Sequence, residues 1–571
     1  MAALEENITK PIKPGLPPPP SADFFQPAQW EVLYSLLDAV LPAVAPASVA
    51  PRQETDGKLG AIIVPDDEFK TIIDKAAGSS TEPPSRAALE AFFSRNITED
   101  PQVREDCLRM IAMSARREAL AKLLSLMNTY IGSRLLTGYW GPITTQPSHV
   151  RQAILQSWVA SRWPTMRSLG KSITSIALKS VTTSSGLLHQ LSGYSDVPRD
   201  WKATASYDFS FPASNLPMSQ AEGAHHLFEN AGIVDKVLFD EGEGNRAVGV
   251  EGVWTSRGPN GRLDVPESER VRRKVRVQAK KVIIAAGSFR SPVILMASGI
   301  ENPQLGKNLH LHPSNVVTAT FGHDTDPNGS GIITSCCSEF DNQDGKGHGV
   351  KLEPTCMVPY TCLTMFPWRN GVDTKLMLLR YQRLNSFISI TRDRDSGEVR
   401  RDPVTGRPLV DYTVSEFDQK HAEEGVVALT KILYVSGADE IQPYYPNLAP
   451  FARTLKTGAV EDTDTQERIE DPEKTDPAFA EWLRELRARG NKPPSGQWSA
   501  AHQMGSCRMG ASPEEGVVDE RGKVWGKEGL YVADSSVFPS ASGVNPMITI
   551  QAIADWISRG VDKELRDEGS V

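Results

Sequence analysis

Lys281-Val282-Ile283-Ile284-Ala285-Ala286-Gly287 runs straight into Ser288-Phe289-Arg290-Ser291-Pro292-Val293-Ile294-Leu295-Met296-Ala297-Ser298-Gly299-Ile300. The first seven residues read as a short apolar strand ending in glycine. In the second run Ser291 suits an N-cap, Pro292 a first helical residue and Gly299 a helix stop. Strand, glycine, helix is a corner of an α/β fold, and the spacing predicts a helix opening at Ser291.

Around this corner the pattern changes twice. Upstream, Trp30, Leu33, Leu37, Val40 and Leu41 share one helical face, and further helical patterns cover 66–76, 86–93, 103–136 and 150–180. Residues 25 to about 190 therefore read as an all-α region. Strand patterns follow at 234–239, 247–253, 271–277 and 282–286. Beyond residue 315, strands are expected at 386–391 and 409–414, around a polar hairpin holding Asp402-Pro403 and Thr405-Gly406, with a helix at 423–435. Pro11 to Pro20 is a Pro-rich lead without a packed core.

Most of the chemistry sits near the C-terminus. The stretches are Ala501-His502-Gln503-Met504-Gly505-Ser506-Cys507-Arg508-Met509-Gly510, then Tyr531-Val532-Ala533-Asp534-Ser535-Ser536-Val537-Phe538-Pro539, then Ser542-Gly543-Val544-Asn545-Pro546-Met547. Asn545 is a favoured N-cap and Pro546 a favoured first helical residue; Met547, Ile550, Ile553, Ala554 and Ile557 then recur on one face. A helix start offers N–H groups and a positive dipole end to a group gaining negative charge, such as a reduced flavin ring or a phosphate. His502, with small residues beside it, is the natural base for an alcohol proton near neutral pH. Taken alone, each has a plainer reading: an ordinary helix start, a partly buried ring, and Cys507 as a small buried hydrophobe.

Together these stretches resemble the C-terminal signature of the glucose–methanol–choline (GMC) family of flavin oxidoreductases. The spacing from Gly287 through Ser291-Pro292 to Ser298-Gly299 is similar to a second family signature, with Glu301 where the pattern usually has Gly. Asn308-Leu309-His310-Leu311-His312-Pro313 resembles the segment that follows. Asn215-Leu216-Pro217-Met218-Ser219-Gln220, His225-His226-Leu227-Phe228-Glu229-Asn230 and Lys236-Val237-Leu238-Phe239-Asp240 resemble the long-chain fatty alcohol oxidase branch, as does the long helical N-terminal region. The resemblance runs from about Phe25 to Trp556.

The resemblance implies FAD as cofactor, with a long-chain primary alcohol and oxygen as partners. His502 takes the hydroxyl proton while the flavin takes the hydride, and Asn545 brackets the hydroxyl from the other side. Val237, Gly287, Ser288, Asp534, Pro546 and Met547 are the expected cofactor-binding residues. The implied fold is α/β (α+β): an incomplete Rossmann-like FAD-binding domain and a sheet-based substrate domain, preceded by the all-α N-terminal region. The expected divisions are a disordered lead over 1–24, the helical region over 25–195, a truncated FAD-binding domain over 196–314, the substrate domain over 315–495, and the catalytic C-terminal part over 496–571.

The family's phosphate loop, strand then G-x-G-x-x-G then helix, is missing. Gly242-Glu243-Gly244 sits in a charged turn and Gly345-Lys346-Gly347 between polar runs; neither opens an apolar helix. Tyr207-Asp208-Phe209-Ser210-Phe211-Pro212 resembles the lead-in to the first strand, yet Asn215-Leu216-Pro217-Met218 follows at once, and a second jump falls between Asn230 and Val234. Two internal deletions are inferred. Without the loop's N–H groups the chain as written is expected to bind FAD weakly or not at all. The alternatives to an alcohol oxidase are an inactive or wrongly assembled GMC remnant, or a GMC enzyme acting on another alcohol.

Bulk properties exclude other classes. The chain has 571 residues and a formal net charge of −9, and no basic stripe with interleaved aromatics marks it as a nucleic-acid binder. Six cysteines without CxxC read as reduced and structural, so the expected location is intracellular and not secreted, with membrane-associated or peroxisomal placement left open. No stretch of 18 residues is apolar and uncharged, so no membrane span is expected, while peripheral membrane contact stays open. His310, His312 and His323 have no common metal spacing, and no metal is expected.

Overall fold

A computed structural model describes residues 20–49, 60–78, 84–112, 114, 117–194, 232–240, 242, 245–256, 271–327, 335–453 and 470–569. The Pro-rich lead up to residue 19, the segments at 215–220 and 225–230, and the position of the first inferred deletion lie outside them. Helices among the described residues are α1 (Pro27–Val40), α2 (Asp66–Ala77), α3 (Arg86–Phe93), α4 (Pro101–Ala112), α5 (Arg117–Met127), α6 (Tyr130–Thr137), α7 (Ser148–Val159), α8 (Pro164–Ser184) and α9 (Gly186–Ser192), then α10 (Gly287–Ala297), α11 (Pro359–Cys362), α12 (Gly371–Leu379), α13 (Glu416–Val435), α14 (Pro472–Thr475), α15 (Pro477–Arg489) and α16 (Met547–Gly569).

The N-terminal region is helical but not all-α. Strands β1 (Ala43–Pro46) and β2 (Ala61–Val64) pair in parallel within it. Alternation too short to register as a strand, beside a strong helical face, hid them from the sequence reading. The expected helix over 150–180 is two helices, because Pro164 opens α8 and disfavours helix at the residue before it. The expected helix over 103–136 is three, with Thr129 accepting the Gly132 N–H to cap α6 afresh.

One core joins α1–α9 to residues 357–384 far along the chain. Its central polar element is Lys375 of α12, which is 1% exposed. Its ammonium donates to the carbonyls of Phe92, Phe93 and Arg95 at 3.1, 3.1 and 2.9 Å, and lies over both phenyl rings. These are orphan carbonyls at the end of α3. Burial draws the Lys375 pKa down to about 7 against the pull of Asp38 and Glu99. Three carbonyl oxygens and two ring faces oppose that shift, because a neutral amine has one hydrogen too few for them. Trp368 Nε1 adds a second tie to the Val40 carbonyl at the end of α1, 2.9 Å away.

The remaining strands are β3 (Gly232–Phe239), β4 (Ala247–Thr255), β5 (Arg272–Gln278), β6 (Val282–Ile284), β7 (Ser314–Thr320), β8 (Val350–Pro354), β9 (Leu384–Thr391), β10 (Glu398–Arg401), β11 (Pro408–Asp411), β12 (Glu440–Pro443), β13 (Phe451–Ala452) and β14 (Leu530–Val532). β13-β12-β7-β9-β8 form an antiparallel sheet backed by α13 and α15. The expected hairpin is corrected: β11 pairs with β10, while β9 lies between β7 and β8. β3-β4-β5 is an antiparallel meander, and the charged turn at Gly242 is its first connection rather than a phosphate loop. β6 and β14 form a parallel pair.

Lys375→Met keeps the apolar stem and removes the three donors. Unfolding in urea should show a loss of about 2–4 kcal/mol; a change under about 0.5 kcal/mol would remove Lys375 from this role.

Candidate active site

β6 and β14 meet in the register Val282–Leu530, Ile283–Tyr531, Ile284–Val532. The helix after β6 begins at Gly287, four residues before the expected start, because Gly287 takes φ +78° and turns the chain at once. Ser291 is not the cap. Its hydroxyl accepts the Ala286 N–H at 3.1 Å and donates to Asp534 Oδ2 at 2.5 Å. Pro292 lies inside the helix, where its missing N–H leaves the Ser288 carbonyl free. Ser506 Oγ fills that vacancy at 2.6 Å, and Ser288 Oγ in turn donates to the Gln503 carbonyl at 2.9 Å. The residues that follow His502 are thus pinned to α10.

Sequence reasoning missed the partner of His502. His312 is fully buried and its Nδ1 lies 3.2 Å from His502 Nδ1, the rings edge to face. The Gly543 N–H donates to His312 Nε2 at 3.1 Å. The sequence marked His312 only within the Asn308–Pro313 stretch, read as a family segment without a role, and among three histidines without metal spacing. His312 holds a left-handed backbone, φ +49°, and the loop is fixed by the buried Asp393. That carboxylate accepts the Leu311 and His312 N–H groups at 3.0 and 3.2 Å and the Tyr412 hydroxyl at 2.8 Å. Burial pushes the Asp393 carboxyl up, but the neighbouring His310 ring and the Leu311 N–H outweigh it and hold it below the usual range.

These bonds assign the tautomers. Burial lowers the His312 pKa to about 4, against the pull of Asp393, and burial lowers that of His502 as well. Both rings are then neutral at pH 7. A backbone N–H can only donate, so His312 Nε2 is bare and its proton sits on Nδ1. That proton points to His502 Nδ1, which leaves the His502 hydrogen on Nε2.

Asn545 lies two residues beyond Gly543. It does not cap the last helix; α16 starts at Met547, with Ile550 N–H donating to the Pro546 carbonyl at 2.8 Å. The Asn545 amide instead acts on Glu353, a buried carboxyl on β8 whose pKa burial raises against the pull of Asn545 and Cys336. Nothing in the sequence pattern marked Glu353, because its contact exists only once the substrate sheet covers the C-terminal segment.

The expected cofactor residues divide. Gly287, Ser288 and Asp534 meet at the start of α10, with Gly287 N–H and Ser536 N–H both donating to Asp534 at 2.8 Å. Pro546 is buried and Met547 64% exposed beside them in sequence. Val237 is buried on β3, its N–H bound to Ser298 Oγ at 2.8 Å. The space before Gly287 is open: an added Cβ there would meet nothing within 4 Å. At the mouth of α10 the Ala286 and Gly287 N–H groups are already taken by Ser291 and Asp534 and are not free to hold a diphosphate. Among the described residues no third strand joins β6, and Ile283 on it is 44% exposed. His323 lies apart, against Phe321.

Two family models described as GMC oxidoreductase match the chain, an N-terminal one over residues 217–314 and a C-terminal one over 393–554. Over these two stretches the chain matches the GMC oxidoreductase family, whose cofactor is FAD. It is similar to two long-chain-alcohol oxidases of Arabidopsis thaliana, FAO3 and FAO4B. FAO3 is 33% identical over 306 residues, 52% of this chain and 38% of the relative. FAO4B is 33% identical over 314 residues, 53% and 38%. The match thus spans 38% of the length of either relative. A formate oxidase of Aspergillus oryzae, studied for modification of its FAD, covers 59% of this chain and 60% of its own at 16% identity and a TM-score of 0.39.

His312 sets a pH dependence of stability. Unfolded, it binds a proton near pH 6.5; folded, near pH 4. Between those values the unfolded state holds more protons, so stability is intact above about 6.5 and falls as pH drops toward 4. Melting curves across that window should fall more steeply for the natural chain than for His312→Gln; parallel losses would contradict the assignment.

Proposed function

We propose that this chain carries the alcohol-handling side of a long-chain-alcohol oxidase, which converts a primary alcohol to the aldehyde with oxygen as final acceptor. The observation that carries the reading is the neutral His502–His312 pair, held against the strand–glycine–helix corner and linked through Gly543 to Asn545. The similarity to the Arabidopsis oxidases supports a long-chain substrate. FAD, when bound, supplies the hydride acceptor. The chain's own residues handle the proton. In the resting tautomer His502 Nε2–H is the donor left to hold a substrate oxygen. To accept the hydroxyl proton at Nε2, His502 must carry its own hydrogen on Nδ1, and that breaks the contact with His312. Proton uptake and opening of the pair are one event. Asn545, beside Glu353, brackets the hydroxyl.

A second reading, a remnant that does not hold FAD, is favoured by the missing Gly-rich loop and by the edge of β6 that no strand joins among the described residues. The chain as written should purify without a stoichiometric flavin band. Transcript reads across Ser214–Asn215 and Asn230–Val234 separate the two readings. If they restore an in-frame Gly-rich loop, the product should be yellow and form peroxide with long-chain primary alcohols. His502→Ala should then lower that rate by about 10²–10⁴-fold; undiminished turnover would remove His502 from its role. Uninterrupted reads with a colourless protein leave the remnant.

A further inference from the structure

Helix α6 is inside out. It buries Gly132, Ser133 and Thr137 and exposes Tyr130, Ile131 and Leu135 by 67%, 71% and 76%. The inward choice is enforced: a Cβ on Gly132 would lie 2.2 Å from the Leu126 carbonyl oxygen on α5. A helix folding against water alone would place these faces the other way. The exposed face continues past the helix. Gly138, φ +82°, turns the chain into Tyr139 and Trp140, and Trp140 is 66% exposed with the Arg134 guanidinium 5.7 Å over its ring. Trp158 Nε1 donates to the Leu136 carbonyl at 3.0 Å, pinning the end of α7 to α6. The turn that follows α7 carries exposed Arg162 and the 76% exposed Trp163.

The charge of this region is as unusual as its apolarity. From Ala119 through Ser195 there is no Asp or Glu, while Lys122, Arg134, Arg151, Arg162, Arg167, Lys171 and Lys179 are all basic, in a chain whose net charge is −9. Among the described residues no helix is long and apolar enough to cross a membrane.

We propose that the α6 face, extended by Trp140 and Trp163, docks this chain onto the surface of a bilayer containing anionic lipid. Aliphatic side chains at the centre enter the acyl boundary. Tryptophan rings suit the headgroup level, where one end is apolar and the other wet. Arg134 and Arg162 lay their stems along the apolar surface and meet lipid phosphates. A protein partner would need an acidic counter-surface of its own; the acid-free stretch of 119–195 matches a uniformly negative plane. The proposal stands on this surface and does not depend on the alcohol-oxidase reading.

The test is sedimentation of the full chain with phosphatidylcholine vesicles, with and without about 30% phosphatidylserine. Binding to the anionic vesicles is expected, weakening as salt rises. Leu135→Ser with Trp163→Ser should weaken it about 10-fold or more. Arg134→Gln with Arg162→Gln should weaken it about 10-fold on anionic vesicles, with a shallower salt dependence. The altered positions are exposed, and circular dichroism confirms that each variant is folded. Absence of binding to the anionic vesicles, or binding indifferent to both pairs of substitutions, overturns the proposal. So does a self-associated form that Leu135→Ser dissociates, which would make a second copy the occupant.

Discussion

The site depends on one buried carboxylate. Asp534 gathers the Gly287 N–H, the Ser291 hydroxyl and the Ser536 N–H, and so ties the start of α10 to a segment 247 residues away. Two of these donors would otherwise be orphans at a tight strand-to-helix turn. With three hydrogen bonds the charge is accommodated; with any donor missing it would be a buried group short of partners. The knot also sets the neighbourhood of His502. Ser288, one residue beyond Gly287, holds the Gln503 carbonyl and receives Ser506, so His502 projects from a segment fixed on its C-terminal side. His312 and Gly543 then complete the site from two other parts of the chain.

What could be read from the sequence follows how local each cause is. β6, β14 and α10 are specified by runs of a few residues, and the strand–glycine–helix corner is where it was expected. The start of α10 was misplaced because Pro292 looked like a first helical residue. A proline inside a helix is tolerated here since its orphaned carbonyl finds Ser506, a partner 218 residues distant. His502 and Asn545, the proposed catalytic pair, were visible as signature residues. Their partners His312 and Glu353 were not, because a ring in a left-handed backbone and a carboxyl on a sheet acquire meaning only when loops far apart in sequence converge. No periodicity encodes that convergence.

The parallel sheet shows what a local reading does not reveal. β6 and β14 have lengths of three residues each, and their order implies neighbours. Two strands with one bare edge are marginal in water, since each unpaired backbone group must be hydrated and the apolar residues above it stay exposed. The consequences appear at Ile283, Ile548 and Trp556, which are 44%, 68% and 61% exposed. They appear again in α16, a 23-residue helix in which Ile557 and Val561 are the buried positions. Its far end is held by Lys281, which pairs with Glu564 and Glu568 at 3.0 and 2.7 Å.

The chain therefore exposes two apolar surfaces, and their chemistry separates them. The surface along β6 and α16 borders a strand edge that has no partner among the described residues, and it carries acids of its own. The α6 surface borders a helix capped at both ends. Thr129 caps α6 at its start, Gly138 closes it, and Gly132 is small because the backbone beneath leaves no room for more. A surface left bare by deletion would show broken hydrogen bonding at its rim; this one shows none of that and lies in a stretch of 77 residues without an acid. Its apolarity is built into an intact element, which is why an interaction with lipid is argued for α6 and not for α16.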